Sequence, residues 1–561
     1  MRSVHTHLVA DVVAGTVVPA TVVVEGGRIA SIGPAEGSLA PGVLVPGFVD
    51  AHVHVESSML PPWEFARVAM RHGTVASVSD PHEIANVLGE AGVRFMLDDA
   101  AGSPFTFAFG CPSCVPATAF ETAGATLDAE ACARLLDDPR IGHLAEMMNW
   151  PGAIAGDPEV LAKIAAAKVR GKRVDGHAPG LVGDEARAYF GRGIETDHEC
   201  FTLDEARAKA ALGVRILIRE GSAACNLDAL WPLLRERPDL CMLATDDAHP
   251  DDLLAGHLDR MLACAVANGI PAIDALRAAT LHPVRHYGLP CGLLQRGDRA
   301  DFALVDSLED FRVRRVWIAG ELVAEDGRTL VAPRASATPN AFRGARLAAG
   351  DFVVRAPARD CEVRAIVAED GQLVTRAAMV AMEARDGLLE PDAARDTLLL
   401  AVVNRYAEAP VATAFIRGFG LKRGAIASSV AHDCHNVVAV GATRAALADA
   451  VNAVFASRGG LAVADGDGAA EILPLPIAGL MSDRPAEEVA ARYAALSARA
   501  RSLGSPLRAP FMTLGFMALL VIPELKLGDR GLFDGRAFRF VEAAVSRSRP
   551  TPPAPPPDRP R

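Results

Sequence analysis

The sequence predicts an α/β protein that comprises a (β/α)8 TIM-like barrel, a small β-sandwich domain formed by both flanks of the barrel, and an additional C-terminal α/β domain. Three observations predict this fold class. Eight apolar, strand-like runs between residues 47 and 289 each end in a polar cluster. β-rich segments of similar texture lie on both sides of that region, and residues 345–545 mix helix-like and strand-like runs.

The flanking segments have the pattern of short strands and turns. Within residues 1–46, two β-rich runs are joined by Gly-Gly in TVVVEGGRIASIG, which is a hairpin signal. Within residues 290–340, the same pattern returns as RADFALVD followed by VRRVWIAGELVAEDGR. Because strands from the two flanks can pair with each other, we expect one small β domain made of residues 1–46 plus 290–340.

The central region, residues 47–289, repeats one unit. Its strand-like runs are PGFVDAHVHVE, TVASVSDPHE, TFAFGCPSC, GHLAEMMN, RVDGHAPG, GIETDHEC, VRILIREGS and CMLATDDAHP. They recur roughly every 20 to 35 residues, the length of a βα unit, and helix-like stretches such as DPEVLAKIAAAKVRG and LDEARAKAALG lie between them. Eight such units favour a barrel, whose active site lies at the C-terminal ends of the strands. A doubly wound open sheet is the alternative, and it would not bring all eight strand ends together.

Residues 345–545 form the predicted C-terminal α/β domain. The expected helices include PDAARDTLLLAVVNRYA and TRAALADAVNAVFASRGG, and the expected strands include AIASSVA and NVVAVG. The final segment, residues 546–561, is SRSRPTPPAPPPDRPR. Because it is proline-rich and polar, it is predicted to be a disordered tail.

Length and charge limit the classes of function. A chain of 561 residues is longer than one hydrophobic core normally serves. The net charge of -12 gives no basic surface for nucleic acid or for an anionic membrane. The first residues, MRSVHTHLVADVV, lack the features of a signal peptide, and no apolar run approaches the roughly twenty residues that span a bilayer. We therefore expect a cytoplasmic protein whose ten scattered cysteines are buried thiols.

The polar clusters carry residue types that bind metals. His52 and His54 stand two residues apart, and alternate residues of a strand point to the same side, so both imidazoles can converge on one ion. A single histidine in a loop is more often structural, but six candidate ligands at strand ends, in barrel order, are not easily explained by chance. Four histidines and two carboxylates can hold two divalent ions, with one carboxylate between them. The predicted ligands are His52, His54, Glu146, His177, His198 and Asp246.

The order of these ligands along the strands resembles the amidohydrolase superfamily. Many of its members bridge their metals with a carboxylated lysine on the fourth strand, where GHLAEMMNWPG has Glu146 and no lysine. Longer motifs resemble one family, the adenine deaminases. These motifs are PGFVDAHVHVESSM, SDPHEIANVLG, CVPATAFETAGA, AEMMNWPG, DGHAPGL, TDHEC, TDDAHP, GFGLKRGAIASSVAHDCHN, LPLPIAGLMS and PELKLGDRGLFD. The resemblance covers nearly the whole chain apart from the proline-rich tail.

This resemblance implies hydrolytic deamination of free adenine to hypoxanthine and ammonia, a reaction of purine salvage. It implies two divalent ions per chain and favours manganese, with iron and zinc as alternatives, because histidine and carboxylate ligands suit all three. Another amidohydrolase that acts on a different amino-heterocycle or a cyclic amide is the competing enzyme hypothesis, since the superfamily shares its metal site. A non-catalytic assembly protein would be expected to have lost ligands, whereas all six are present. Base rates favour a homodimer.

Two adjacent aspartates follow the eighth strand-like run. Asp246 is the predicted proton acceptor for the attacking water as well as a ligand, because a carboxylate at the metal can take that proton and pass it on. Asp247 is expected to point to the other side of the strand, where it supports the ligands or contacts the purine. Both assignments place strand 8 at the centre of the chemistry.

Strands 2 and 7 supply further candidates. Asp80 and Glu83 fit a helix start, with Asp80 as the cap and Glu83 at the third position of a capping box. They also fit a functional role, in which one of them faces the substrate and either donates a proton to N1 of the purine or supports the residues that contact the substrate. The two interpretations are compatible. Arg219 and Glu220 either contact the base or pair with each other.

Two more clusters are set apart by their spacing. His432 and His435, in HDCH, have three interpretations: they bind a metal, reach over the barrel mouth, or form a satisfied structural cluster, which is the favoured one. Cys111 and Cys114 have CxxC spacing, but no second pair at a suitable distance is evident for a zinc site. We therefore expect these two cysteines to be buried thiols.

Overall fold

The computed structural model describes residues 2–222, 225–344 and 346–547. The predicted disordered tail, residues 546–561, lies outside the described residues except for its first two. Among the described residues, no helix is long and apolar enough to cross a membrane.

Eight parallel strands form the barrel. In chain order, β1 to β8 are Phe48–Val53, Thr74–Ser79, Thr106–Cys111, Ile141–Met147, Arg173–Gly176, Thr196–Asp197, Arg215–Arg219 and Cys241–Ala244. Strands β1–β5 form one continuous ladder and β6–β8 another. The Glu195 amide donates to the Val174 carbonyl at 3.0 Å beside β5, and the Asp246 amide donates to the His52 carbonyl at 3.0 Å beside β1, so the ring closes. The predicted barrel is confirmed, and the open-sheet alternative is wrong.

Helices surround these strands. They are Pro62–Ala69, His82–Leu88, Glu90–Ala100, Ala129–Leu136, Trp150–Ala155, Pro158–Lys168, Gly183–Phe190, Leu203–Ala210, Leu227–Glu236, Pro250–Ala255, Leu258–Ala267, Ala272–Ala278 and Leu281–Tyr287. Short polar side chains begin several of them: Asp128 accepts from the Ala131 amide at 2.8 Å, and Thr202 accepts from the Glu205 amide. Two helices fall where the Ala- and Glu-rich stretches predict them, at Pro158–Lys168 and Leu203–Ala210.

Both flanks of the barrel contribute to one eight-stranded sheet. Its strands are Arg2–Asp11, Thr16–Glu25, Arg28–Pro34, Val43–Pro46, Phe302–Val305, Val313–Ile318, Glu321–Glu325 and Arg328–Thr329. The Gly26-Gly27 turn has positive φ at both residues, which suits a tight hairpin. Val43–Pro46 pairs antiparallel with Phe302–Val305 and so joins the two flanks, whose apolar side chains share a small core of their own.

The C-terminal region is built on a nine-stranded mixed sheet. Its strands are Asp360–Val367, Arg376–Glu383, Leu398–Val403, Ala412–Arg417, Ala425–Ser428, Val437–Gly441, Gly460–Ala464, Ala470–Pro474 and Ala544–Ser546. Smaller sheets pair Val354–Arg355 with Leu388–Leu389, and join Leu525–Gly528, Gly531–Asp534 and Arg539–Phe540. The α-helices are Arg444–Ala456, Ala486–Ser502 and Pro510–Phe516. Short 3₁₀ turns occur along the chain at Val55–Ser58, Met70–His72, Pro238–Leu240, Ala349–Asp351 and Ala393–Arg395.

One predicted helix is wrong. The stretch PDAARDTLLLAVVNRYA contains a single 3₁₀ turn followed by the strand Leu398–Val403. Every residue of that strand is buried, because it pairs with a neighbour on each edge and is covered on both faces. A strand covered on both faces shows no alternation of apolar and polar residues, so a short apolar run cannot be told from a buried helix by its pattern.

The C-terminal region packs on the face of the barrel where the strands end. The Ser482 amide donates to the Met59 carbonyl at 2.8 Å, just beyond β1. The Asn436 side chain donates to the Thr122 carbonyl at 2.8 Å, in the loop after β3, and the Thr122 amide donates to Asp529 at 3.0 Å. The mouth of the barrel therefore lies beneath this region.

Candidate metal centre and active site

Strand β1 presents its two histidines to one point. The Nε2 atoms of His52 and His54 lie 3.2 Å apart, because the extended backbone sends both rings to the same side. Nδ1 of His54 lies 3.1 Å from the Asp80 carbonyl oxygen, which can only accept, so Nδ1 carries the proton. The Nε2 lone pair of His54 is thereby free to bind an ion.

Glu146, on β4, lies between histidines from different strands. Its Oε1 is 3.3 Å from His54 Nε2, and its Oε2 is 2.7 Å from His177 Nδ1 and 3.1 Å from His198 Nε2. The glutamate side chain is buried, with 2% of its surface exposed. Each carboxylate oxygen thus faces a separate group of imidazoles, which is the arrangement expected of a bridging ligand.

Asp246 completes the group from the end of β8. Its Oδ1 lies 3.4 Å from His52 Nε2 and 3.2 Å from His54 Nε2. The residue has φ of 57°, a left-handed conformation that is strained for aspartate and that two hydrogen bonds to β1 hold in place. The structure therefore brings all six predicted ligands together.

The donor set fits divalent metal ions. Metal–nitrogen and metal–oxygen bonds of about 2.1 Å place neighbouring ligand atoms roughly 3 Å apart, and the separations between these side chains match that spacing. The carboxylates and imidazoles contain no thiolate, which suits manganese, iron or zinc. Several overlapping groups of buried ligand atoms lie within 4.8 Å of one another here, including His52 with His54 and Asp246, and His52 with Glu146 and His198.

Arg219, at the end of β7, holds two carboxylates in place. Its guanidinium donates to Asp246 Oδ2 at 2.7 Å and forms a two-pronged ion pair with Glu199. Burial alone would raise the pKa of Asp246, but Arg219 and the β1 histidines hold it well below its usual range. The Glu220 carboxylate lies elsewhere and accepts from the Leu227 amide at 3.1 Å, so Arg219 pairs with these two carboxylates and not with Glu220.

The polar cluster after β2 differs from a capping box. Asp80 Oδ1 accepts from the His82 amide at 3.1 Å, and its Oδ2 lies 2.9 Å from His82 Nδ1. The helix begins at His82, and Glu83 does not reach back to the Asp80 amide, which donates to the Val53 carbonyl instead. The predicted capping box is therefore wrong, and the Glu83 side chain is available for other contacts.

Glu83 meets the HDCH segment of the C-terminal region. His432 Nδ1 bonds one of its oxygens and His435 Nε2 bonds the other. Burial alone would raise the pKa of Glu83, but the two imidazoles outweigh it and hold the pKa well below its usual range. The sequence allows three interpretations of HDCH. The structure supports the one in which His432 and His435 extend over the barrel mouth and contact a barrel residue.

Asp247 faces a serine of the β1 cluster. Ser57 Oγ donates to Asp247 Oδ1 at 2.5 Å, and both side chains lie beside the ligand group. Burial and the neighbouring Asp246 raise the pKa of Asp247 above its usual value. A carboxyl group with a raised pKa next to an ionised one is a typical feature of sites that transfer protons.

Three residues of this site are absent from the sequence prediction. His82 lies with its Nδ1 3.4 Å from Glu146 Oε1, Glu199 pairs with Arg219, and Ser57 bonds Asp247. Glu199 directly follows His198, so regular alternation would point it away from the ligands. Strand β6 has only two residues, Thr196–Asp197, so that alternation has already ended at Glu199.

Cys111 and Cys114 of the CxxC pair contact backbone carbonyls and a serine hydroxyl. The Cys111 thiol lies 3.7 Å from the Cys132 carbonyl oxygen, and Ser113 Oγ donates to Cys114 Sγ at 3.2 Å. Burial raises the pKa of the Cys114 thiol. Both cysteines are therefore buried thiols, as expected. All ten cysteines are free, but Cys225 and Cys264 are exposed, so the expectation that all ten are buried is wrong for these two.

Comparison with known proteins gives two family matches. Residues 43–323 match the amidohydrolase family, and residues 372–539 match the adenine deaminase C-terminal domain. Among similar proteins, the adenine deaminase of Salinibacter ruber is 56% identical over 95% of this chain and 98% of its own length. Those of a Sulfurovum species and of Methanosarcina barkeri are 52% and 50% identical, over 95% and 93% of this chain and 98% and 96% of their own lengths. The chain belongs to the adenine deaminase family of amidohydrolases.

Proposed function

We propose that this protein is a two-metal adenine deaminase that hydrolyses adenine to hypoxanthine and ammonia as part of purine salvage. Relatives that share about half of their residues with it along nearly their full length carry that name. The observation that carries the two-ion assignment is the position of Glu146, whose two oxygens face different histidine groups. His52, His54 and Asp246 would hold one ion, His177 and His198 the other, and Glu146 would bridge them.

Bound divalent ions supply a water that is nucleophilic at neutral pH, because they lower its pKa from 15.7 to about 7. The protein's own side chains then accept and transfer the protons. Asp246 accepts the proton of the attacking water and passes it on, while Arg219 keeps its carboxylate ionised and oriented. Addition of water at C6 requires that N1 gain a proton, and elimination requires that the amino group leave as ammonia. Glu83, which is ionised at rest, is the proposed carrier: it takes up the proton that Asp246 releases and delivers it to N1.

The remaining residues around the ligands shape the pocket for the base. Ser57 and Asp247 form a hydrogen-bonded pair beside the ligands, and this pair is the proposed contact for the purine edge. Five of the six ligand side chains are buried and His177 is partly exposed, so a bound base is largely shielded from bulk water. Excluding water strengthens the electrostatic contacts that stabilise the developing charge on the ring.

The test measures metal content and ammonia release on the same purified protein. We expect close to two divalent ions per chain, ammonia release from free adenine, and little or none from cytosine or guanine. Removing the metal by chelation should abolish turnover, and adding Mn²⁺ back should restore it, with Fe²⁺ and Zn²⁺ as comparison ions. A protein that carries no tightly bound metal and gains no activity from any of these ions would overturn the proposal.

A further inference from the structure

The carboxylate of Glu83 contacts two imidazoles that lie about 350 positions further along the chain. Glu83 belongs to the first turn of the helix after β2, and His432 and His435 belong to the loop before the strand Val437–Gly441. We propose that His432 and His435 are positioning residues for Glu83, so that the C-terminal region orients the proton-transfer group of the barrel. This inference rests on the proposed function.

A glutamate carboxylate does not hold its own plane. Rotation about its last side-chain bond is soft, and one hydrogen bond on one oxygen leaves the other oxygen free to swing. Here each oxygen of Glu83 has its own imidazole, so the plane of the carboxylate is fixed by two points. A group that must deliver a proton to a ring nitrogen needs such orientation, because proton transfer depends on a near-linear approach at hydrogen-bond distance.

The tautomer of His435 is set by its own loop. The Ala431 amide donates to Nδ1 of His435 at 3.2 Å, so Nδ1 is an acceptor and the ring proton sits on Nε2. That proton is the one donated to Glu83. The His435 amide donates back to the Ala431 carbonyl at 2.7 Å, and the residue keeps a left-handed φ of 52°. The loop therefore holds a strained conformation that aims one N–H at the barrel.

The ring of His432 is fixed by packing. It stacks on Phe516 with ring centroids 4.4 Å apart and an angle of 6° between the planes. Phe516 ends the helix Pro510–Phe516, and the preceding Gly515 lies so close that an added Cβ would be 3.1 Å from the Val430 carbonyl oxygen. Both imidazoles thus take their orientation from C-terminal elements and not from the barrel.

The charges at this contact are those expected when two imidazoles hold an ionised carboxylate. Burial would lower the pKa of His432, but Glu83 outweighs it and raises that pKa to about 9. His435 is neutral by its tautomer, so Glu83 receives one charged and one neutral donor.

Other titratable groups also surround Glu83. His82 Nε2 lies 3.8 Å from its Oε1 and 3.7 Å from Asp433 Oδ1. Burial raises the pKa of Glu56 and Asp247, and the charge of Glu83 helps to raise both.

The experiment uses variants that keep or remove one N–H. His432→Asn keeps an amide nitrogen near the position of Nδ1, and His435→Gln keeps one near the position of Nε2, whereas His432→Leu and His435→Leu remove the donor. The leucine variants should lose about 10²-fold in kcat with a smaller change in KM for adenine, and the amide variants should recover part of the loss. Metal content should match the wild type. His286→Leu changes a buried histidine whose carbonyl accepts from Arg173, at the start of β5 and so at the end of the strand opposite the ligands; it controls for general destabilisation and should keep normal kcat.

A double variant separates orientation from mere stability. If the histidines act through Glu83, adding His432→Leu to Glu83→Gln should cause no further loss of kcat. A further loss of similar size would overturn the inference, as would folded, metal-loaded leucine variants with wild-type kcat. If a leucine variant does not fold, His432→Asn is compared with His432→Gln, whose amide reaches too far, and equal kcat would overturn it too.

The same measurements distinguish this inference from the proposed function. A wild-type protein that releases no ammonia from adenine contradicts the function itself. If the wild-type protein is active and the Glu83→Gln variant is fully active as well, the deaminase function stands. Glu83 and its two positioning histidines would then have no role in the mechanism.

Discussion

Glu146 is the residue on which the two-ion arrangement depends most directly. It is the only one of the six predicted ligands whose two oxygens face histidines of different groups, on β1 and beyond β5 and β6. A carboxylate placed between two cations offsets the repulsion between them, which a neutral group of the same shape cannot do.

Glu146→Gln tests that position. The substitution nearly conserves shape but removes one negative charge, so metal content should fall towards one ion or none per chain, and adenine turnover should be lost. Elemental analysis of the purified variant and an ammonia assay check the two effects together. Glu130→Gln, an exposed carboxylate on a barrel helix, is the matched control. Full metal occupancy with near-normal turnover would remove Glu146 from the centre.

Asp246→Asn tests proton transfer at the other carboxylate. Asparagine keeps an oxygen that can bind a metal but cannot accept a proton from water, so kcat should drop by at least about 10²-fold while some metal is retained. Arg219 would lose its charged partner at 2.7 Å but keep Glu199, which limits the structural damage. An asparagine variant with wild-type kcat would assign the proton-transfer role to another residue, and Glu83 would be the next candidate.

At the scale of elements, the sequence predicts best where an element ends in a polar cluster. Seven of the eight barrel strands fall within their predicted runs, and β4 begins one residue before its run, at Ile141, since a buried parallel strand followed by polar residues is a distinct pattern. The sequence pattern wrongly predicts a helix at Leu398–Val403, because a strand that is covered on both faces shows no alternation of apolar and polar residues. The sequence predicts a capping box with Asp80 as the cap, whereas the helix begins at His82. The capping box does not form because the Glu83 side chain bonds distant histidines and not a nearby backbone amide.

The strand Leu525–Gly528 contains a buried lysine that should make the stability of the folded protein depend on pH. Lys526 Nζ donates to the Leu373 and Phe516 carbonyls at 2.7 and 2.9 Å, and burial lowers its pKa to about 7. Between pH 7 and the ordinary lysine value of 10.5, the unfolded chain binds a proton that the folded chain lacks. Stability should therefore rise with pH across that window, by up to about 1.4 kcal/mol per pH unit from this group.

Lys526→Met removes this proton linkage. The variant should be less stable than the wild type at pH 9.5, because two buried carbonyls lose their donor at a cost of about 1–3 kcal/mol. The difference should shrink as the pH falls to 7. Urea unfolding midpoints at both pH values measure it, and Lys422→Met makes the same change at an exposed position. A difference that does not vary with pH would show that Lys526 keeps its proton when folded.

At the scale of the whole molecule, local patterns predicted the parts better than their contacts. The barrel and its six candidate ligands follow from repeated clusters, because each cluster is a local feature of the chain. The contact between Glu83 and the HDCH loop joins segments about 350 residues apart, and nothing in the spacing of either segment indicates the other. The same is true of Glu199 and Arg219, whose pairing depends on where two neighbouring strands end.

The covered mouth of the barrel leads to the last prediction, which concerns the size of the substrate. The C-terminal region contacts the segments that follow β1, β2 and β3, and five of the six ligand side chains beneath it are buried. A planar base needs little room, whereas a ribose on N9 projects beyond the ring and would have to displace packed side chains. We expect kcat/KM for adenosine to be lower than for adenine by on the order of 10²-fold or more, because a closed pocket rejects added bulk by steric overlap.

A graded series of substrates makes this test specific. 9-Methyladenine adds one carbon at the position of the sugar, so its kcat/KM should fall between those of adenine and adenosine if space is what decides. Ammonia release from all three compounds, measured at equal metal loading, gives the order. A poor rate for adenosine together with an unchanged rate for 9-methyladenine would place the obstacle further from the ring. Equal kcat/KM for adenine and adenosine would contradict the covered pocket and the choice of the free base, while a two-metal hydrolase would still account for the ligands.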